Sequence, residues 1–352
     1  MSLNLSQKTS LFLLSVCLVA SGSMSLLTGQ EPTGGGSFIR DLTGGAALIF
    51  RAPKDPVVHI ANAIQGTLGG GKVKGRRQPK PQVQVRKQDQ AIARANAARS
   101  APKPRYAEAE EQYRLAATIA PDDARAFAGL GNVFVDQGRF PEAVNSYQQA
   151  LKLKPDYSAA LLPLAFSLAR MDRYADSIEI YQQAIKLEPS NPEIFNNLSF
   201  AYNHTNRYQE AIDASLNAIK LLGDTGQAYA QGFQERNEIL SYAYKNLGNA
   251  YNGLQRFEEA AKALKRAAQI EPTNASAHFN LGLTLYNAGR YSEAIEAYKE
   301  VIKLRPSLAQ AHYNLGLTYY AISDRKQAMG EYELLKSMNP DLAQQLYKLL
   351  KP

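Results

Sequence analysis

Between Ala275 and Pro306 the apolar positions fall into two helical phases with a turn between them. His278, Leu281, Gly282 and Leu285 stand at i, i+3, i+4 and i+7, which places them on one face of a helix. Gly289-Arg290-Tyr291 then marks a turn. Ala294 and Tyr298 follow at i and i+4 on a second helix, where the small alanine permits close approach. Glu293, Glu296 and Glu300 fit a solvated face of that helix better than an acid–base pair. The segment therefore predicts a helix hairpin whose inner faces meet.

The same pattern restarts 34 residues later, with His278/His312, Asn280/Asn314, Leu281/Leu315, Gly282/Gly316 and Pro306/Pro340 in register. Prolines at 121, 155, 189, 272, 306 and 340 extend the frame along the chain. Each ends a helix and pushes the residue before it out of the helical region. Asp122, Asp156, Ser190, Thr273, Ser307 and Asp341 follow as expected helix caps. The interval from 189 to 272 is 83, two repeats plus 15 residues. This gives units at 90–123 (degenerate), 124–157, 158–191, 192–225, 241–274, 275–308 and 309–342, with an insertion at 226–240. The insertion has helical apolar spacing, so a lengthened first helix of the fifth unit or a short extra helix is expected there. Residues 342–351 are amphipathic and are expected to cap the last unit.

The run x-N-L-G-x-x-x-Y, a small residue, A-x-x-x-Y and then Pro resembles the tetratricopeptide-repeat family over roughly residues 88–352. The resemblance implies an all-α fold, a right-handed α-solenoid of stacked helix-turn-helix repeats whose core is serial rather than single. Gly131, Gly248, Gly282 and Gly316 recur inside helices, where glycine costs about 1 kcal/mol, and so argue for tight helix contact. In the family's pattern Gly282 faces Ala294. Tyr147, Tyr181, Tyr298 and Tyr332 share one register and are expected in the core.

The rest of the chain reads differently. Residues 1–23 form a signal peptide or N-terminal anchor: Lys8, the apolar run Leu11–Ala20, then small residues, with cleavage expected near Gly22 to Met24. Leu14-Ser15-Val16-Cys17 is a poor lipoprotein signal because Val16 is bulky. The expected location is exported (periplasmic, secreted or envelope-associated), with an uncleaved membrane anchor as the alternative. Residues 24–87 are a Gly/Pro/basic linker whose composition buries too little apolar surface to order it. Of the formal +8, Arg51–Arg105 holds thirteen Lys or Arg against Asp55 and Asp89, which leaves −3 on residues 106–352. Lys72, Lys74, Arg76, Arg77 and Lys80 are the candidates for an anionic partner, a membrane or wall polymer. Nucleic acid is disfavoured, since no aromatics interleave the charge. Gly66–Lys72 matches the start of a phosphate-binding loop, but Val73 stands where Ser or Thr should hold magnesium and no strand precedes it. The single cysteine, Cys17, excludes disulfides and Cys-based zinc sites from the array.

No catalytic, cofactor, metal or small-molecule site is legible. His278 and His312 lie one repeat apart at a packing position. The informative residues are on the face of the first helices opposite their apolar stripe, which would line a concave groove. The sixth residue of four consecutive units is Asn197, Asn246, Asn280 and Asn314, and an amide both donates and accepts. A similar asparagine ladder lines the repeat region of O-GlcNAc transferases, though no sugar-transfer domain follows here. Lys245, Asn249 and Asn280 match three positions of the carboxylate clamp of chaperone-binding repeats, while Gln310 and Asn314 replace its last two basic residues, so the charge-assisted part is missing. The sequence thus points to a non-enzymatic scaffold that binds a protein or peptide partner. The candidate peptide-binding set is Asn197, Lys245, Asn246, Asn249, Asn280, Gln310 and Asn314.

Overall fold

The computed structural model describes residues 82–223 and 233–351. Within them are fifteen helices and no strand, and no helix is long and apolar enough to cross a membrane. The signal-like segment, most of the linker and its basic residues Lys72 to Lys80 lie outside the described residues. The helices fall into two compact units, divided at Pro189/Ser190.

The first unit holds α1 (Gln82–Arg99), α2 (Tyr106–Ile119), α3 (Ala124–Asp136), α4 (Phe140–Leu153), α5 (Ser158–Ala169) and α6 (Tyr174–Leu187). They pack as three hairpins, α1 with α2, α3 with α4 and α5 with α6. Helix begins at Gln82, ahead of the array start expected at 88, because Gln88, Ala91, Ile92, Ala95 and Ala98 form a buried stripe. The last part of the basic stretch is therefore helical. Its Arg99 forms a 2.6 Å ion pair with Asp136 of α3.

The second unit holds α7 (Pro192–His204), α8 (Tyr208–Leu222), α9 (Phe233–Gly253), α10 (Phe257–Ile270), α11 (Ala275–Asn287), α12 (Tyr291–Leu304), α13 (Ala309–Ala321), α14 (Arg325–Met338) and α15 (Pro340–Leu350). Again the pairs are consecutive: α7/α8, α9/α10, α11/α12 and α13/α14, with α15 on the last. The described part of the insertion lengthens α9 rather than forming a separate helix. Arg236, on the added turns, donates Nε to the carbonyl of Leu222 at 3.0 Å and Nη2 to that of Gly223. Those carbonyls end α8 and have no partner inside it, so the extension caps its neighbour. At the other end Leu342, Ala343, Leu346 and Leu350 bury one face of α15 against Tyr313, Leu317 and Leu335.

Each of the six frame prolines (121, 155, 189, 272, 306 and 340) does what its stiff ring dictates. Helices end two residues before it, and the intervening residue is extended, as at Lys154 (φ −141°, ψ 92°) and Arg305 (φ −142°, ψ 79°). The caps sit one residue beyond those expected. Asp123, Asn191 and Asn274, not Asp122, Ser190 and Thr273, accept from the backbone amides of Arg125, Glu193 and Ala277. Asn339, not Asp341, caps α15, and Asp156 and Ser307 give way to Tyr157 and Leu308, which make no side-chain cap bond. The reason is a turn. The amides of Asp123, Tyr157, Asn274 and Leu308 donate three residues back to Ala120, Lys154, Glu271 and Arg305. Proline thus occupies the second place of a four-residue turn and the expected cap its third.

Inside the hairpins the recurring glycines meet aromatic rings. A Cβ on Gly131 would lie 2.5 Å from the ring of Tyr147, and one on Gly282 would lie 2.8 Å from that of Tyr298. Gly282 thus meets Tyr298 one turn beyond Ala294. Gly248 meets Leu264 in the same way, whereas Gly316 meets Leu346 of α15. Tyr147, Tyr181 and Tyr298 are sealed in, while Tyr332 is only half-buried and stacks on Tyr347 at 5.0 Å. The turn between paired helices has one conformation in every hairpin but α1/α2: Gly138, Asp172, Asn206, Gln255, Gly289 and Ser323 all have φ between 57° and 74°.

Two outcomes follow for unfolding measurements. Gly282→Ala gains about 1 kcal/mol of helix propensity but must displace a buried ring, so it is expected to destabilise by about 1–3 kcal/mol net. Stability equal to wild type would contradict the close packing. Gln255→Gly removes the left-handed strain of a side-chain-bearing residue, roughly 1–2 kcal/mol, against a smaller entropic cost. It should raise the denaturation midpoint, by about 0.5–1 kcal/mol; a fall would contradict the assigned turn.

Candidate functional site

Consecutive first helices of the hairpins in the second unit, α7, α9, α11 and α13, also touch one another. Their mutual surface is built largely of amides. Asn246 donates Nδ2 to the backbone carbonyl of Asn196 at 3.1 Å and to its Oδ1 at 3.0 Å, while Asn203 donates back to the carbonyl of Asn246 at 3.0 Å. Asn196 donates to Asn197 Oδ1 at 3.1 Å. Between α9 and α11, Asn280 donates to Asn249 Oδ1 at 2.8 Å and Asn252 to the Thr284 hydroxyl at 2.7 Å. Lys245 Nζ donates to the Ser276 hydroxyl at 3.1 Å.

The candidate residues therefore separate into two groups. Asn197 and Asn246 are fully buried, Lys245 is 1% exposed and Asn280 is 2% exposed. Lys245, Asn246 and Asn280 bond helix to helix and Asn197 bonds to Asn196 within α7, so in this conformation the four offer almost no surface to a partner. The reason is their place on the helix: the sixth residue points between neighbouring first helices rather than straight out. Asn249, Gln310 and Asn314 keep part of their surface, and Gln310 donates to Asn314 Oδ1 at 3.2 Å. The structure adds Asn252 and Asn287, which sequence reasoning missed. Both are partly exposed, one at the wall between α9 and α11 and the other at the end of α11. Their signal was present in the sequence: Asn249, Asn252 and Asn287 lie a turn or two beyond the asparagine ladder.

This face has hydrogen-bonding capacity to spare. Asn249 Nδ2, Asn252 Oδ1 and Asn287 Oδ1 have no partner among the described residues, one donor and two acceptors on two adjacent helices; each atom is itself shielded from solvent on a partly exposed side chain, so a ligand meets it only after that side chain turns outward. Such groups cost about 1–3 kcal/mol each when unmet. Beside them stand the partly exposed Leu283, Tyr286 and Tyr320. Burial pushes the Tyr286 phenol well above its ordinary value, so it remains a neutral donor and acceptor.

The two repeated histidines each reach back to a proline carbonyl. His278 Nε2 lies 3.1 Å from Pro272 O, and His312 Nε2 lies 3.0 Å from Pro306 O. His312 is the more enclosed, its side chain 6% exposed, and its Nδ1 sits 2.7 Å from the Glu331 carboxylate. Both of its partners only accept, so the doubly protonated ring satisfies both. The hydrogen bond to Glu331 raises its pKa against the opposing effect of burial. These are packing and capping histidines, and no group of residues fit to hold a metal occurs among the described residues. A raised folded pKa stabilises fully below the unfolded value near 6.5 and is lost as pH rises through the folded value. Denaturation of the wild type is therefore expected to show stability falling above about pH 6.5, with that component absent in His312→Gln. An identical pH dependence in both proteins would contradict it.

The comparisons with known proteins agree with this architecture. A family model described as TPR repeat matches residues 131–172, 167–205, 248–289 and 284–323. A solved tetratricopeptide repeat protein from Parabacteroides merdae is similar, with TM-score 0.56 and 15% identity over 75% of this chain and 99% of that one. PilF of Pseudomonas aeruginosa is similar at TM-score 0.53 and 20% identity, over 65% of this chain and 97% of that one. A chain of the Cut9–Hcn1 hetero-tetramer of the APC/C gives TM-score 0.55 and 16% identity, over 77% of this chain and 54% of that one. At these identities the likeness concerns the fold. No curated protein sequence matches the chain. No enzymatic family is indicated, and repeats of this kind are protein-interaction scaffolds. The chain thus carries four tetratricopeptide repeats, matched over residues 131–205 and 248–323, on a described array of stacked helix hairpins.

Proposed function

We propose that the unit from Ser190 to Lys351 binds an extended segment of a protein partner along the face shared by α7, α9, α11 and α13. The observation that carries this reading is the unspent amide capacity of Asn249, Asn252 and Asn287 on neighbouring helices. An extended backbone presents alternating carbonyls and amides, and a row of side-chain amides can meet both without reading sequence. Asn249, Asn287, Gln310 and Asn314 act as the contact residues. Asn246, Asn280 and Lys245 support them from behind by fixing the spacing of the helices. With Gln310 and Asn314 in place of basic residues, a terminal carboxylate is not the feature being held. Export or an N-terminal anchor, expected from residues 1–27, belongs to the same proposal and would place the partner outside the cytoplasm.

The test uses the full chain and two variants. A partner captured from native extract is identified and then titrated. Asn287→Ala/Gln310→Ala/Asn314→Ala should retain most of the wild-type melting profile and lose at least about tenfold in affinity, 1.4 kcal/mol. Asn246→Ala should instead lower stability by about 1–3 kcal/mol, because it leaves the backbone carbonyl and Oδ1 of Asn196 without their donor. If the triple variant holds the partner as tightly as wild type, the site lies on another face.

A further inference from the structure

We infer that the groove of α9, α11 and α13 selects a partner segment without charged side chains: an extended stretch of amide, hydroxyl, small and aliphatic residues. The inference rests on the peptide-groove reading above and narrows it to a chemistry. Charge in this unit is sorted by helix. The second helices of the hairpins, α10, α12 and α14, each carry five Asp, Glu, Lys or Arg. The first helices α11 and α13 carry none. In α9 from Ser241 onward the only charge is Lys245, which is 1% exposed and hydrogen-bonded to Ser276. The charge of the second helices is paired within them or with the residue that precedes them, as in Lys299–Glu296 at 3.0 Å, Arg256–Glu259 at 2.7 Å and Arg290–Glu293 at 2.7 Å.

A charged side chain entering that wall would give up water and meet no counter-charge, which costs several kcal/mol unless it stays in solvent. A neutral segment meets no such penalty. Once the partly exposed side chains of Asn249, Asn252 and Asn287 turn outward, its peptide groups and hydroxyls can use their unmet donor and acceptors, and its apolar atoms can lie on Leu283, Tyr286 and Tyr320. Both features, the missing charge and the spare neutral hydrogen-bonding groups, point to the same class of ligand. Binding there should also be indifferent to ionic strength, because no ion pair is screened. The basic residues between Arg51 and Arg105 would attract acidic segments in a salt-dependent way, so the two modes are separable in one protein.

A display library of random short peptides selected on the immobilised full chain tests this. Each enriched peptide is then measured against Asn287→Arg and, as a second variant, Asn314→Arg, both checked for wild-type helicity and melting. These variants leave the basic stretch intact, so peptides held there keep their affinity and drop out of the count. Among peptides that lose at least about tenfold on either variant, Asp, Glu, Lys and Arg should be depleted at least about threefold against the starting library. Their affinity should change less than about twofold between low and high salt. Groove-dependent peptides enriched in acidic or basic residues, or strongly salt-dependent, would overturn the inference while leaving the groove reading intact. If no enriched peptide depends on either variant, the groove reading falls and this inference with it.

Discussion

Two hairpins of this array, α3/α4 and α11/α12, close an aromatic ring over a position that has no side chain. Gly131 and Gly282 lie directly beneath the rings of Tyr147 and Tyr298, where even a Cβ would collide. The ring is buried, and the burial of so large a group is what stabilises the pair. Close approach on this side also decides what the other side can be. Once the first helix is held against its partner, its opposite face is left to the neighbouring first helix and to solvent. Everything proposed about recognition concerns that face.

The chemistry of the face follows from its double duty. It must bond helix to helix and still be partly wet, which excludes a dry apolar seam and disfavours charge. Asparagine meets both demands, since one amide can donate across to Asn196 or Asn249 while neighbouring amides keep capacity unspent. Charge goes to the second helices, where exposed Arg–Glu pairs at i, i+3 recur. Such pairs contribute little to stability, but they keep charge away from the groove.

The period, the helix ends and the presence of close contacts at glycine could be read in the sequence because each has a local cause. Proline stops helices whatever surrounds it, and glycine inside a helix needs a reason. The partner of the glycine was harder. Gly282 was expected against Ala294 and meets Tyr298, one turn further, because the crossing angle of two helices is a tertiary property. The caps at Asp123, Asn191 and Asn274 were displaced by one residue because the proline turn consumes the residue after it. The left-handed residue that recurs in six hairpin turns was hidden where Asp172, Gln255 and Ser323 replace glycine. Burial of Asn197, Asn246 and Asn280 was not legible either. A helical wheel gives direction, but whether a side chain points at solvent or at the adjacent helix depends on where that helix lies. Nothing structural bears on Lys72, Lys74, Arg76, Arg77 or Lys80, which lie outside the described residues.

The central claim is that recognition occurs on the charge-free face of the first helices and uses their asparagine amides. Side-chain amide resonances report this directly. The Nδ2 signals of Asn249, Asn252, Asn287 and Asn314 would be followed by nuclear magnetic resonance while a groove-dependent peptide is titrated into the full chain. Shifts concentrated on these four amides, with the backbone of α10, α12 and α14 unmoved, are the predicted result. Shifts confined to the charged second helices, with the four amides unmoved at saturation, would contradict it.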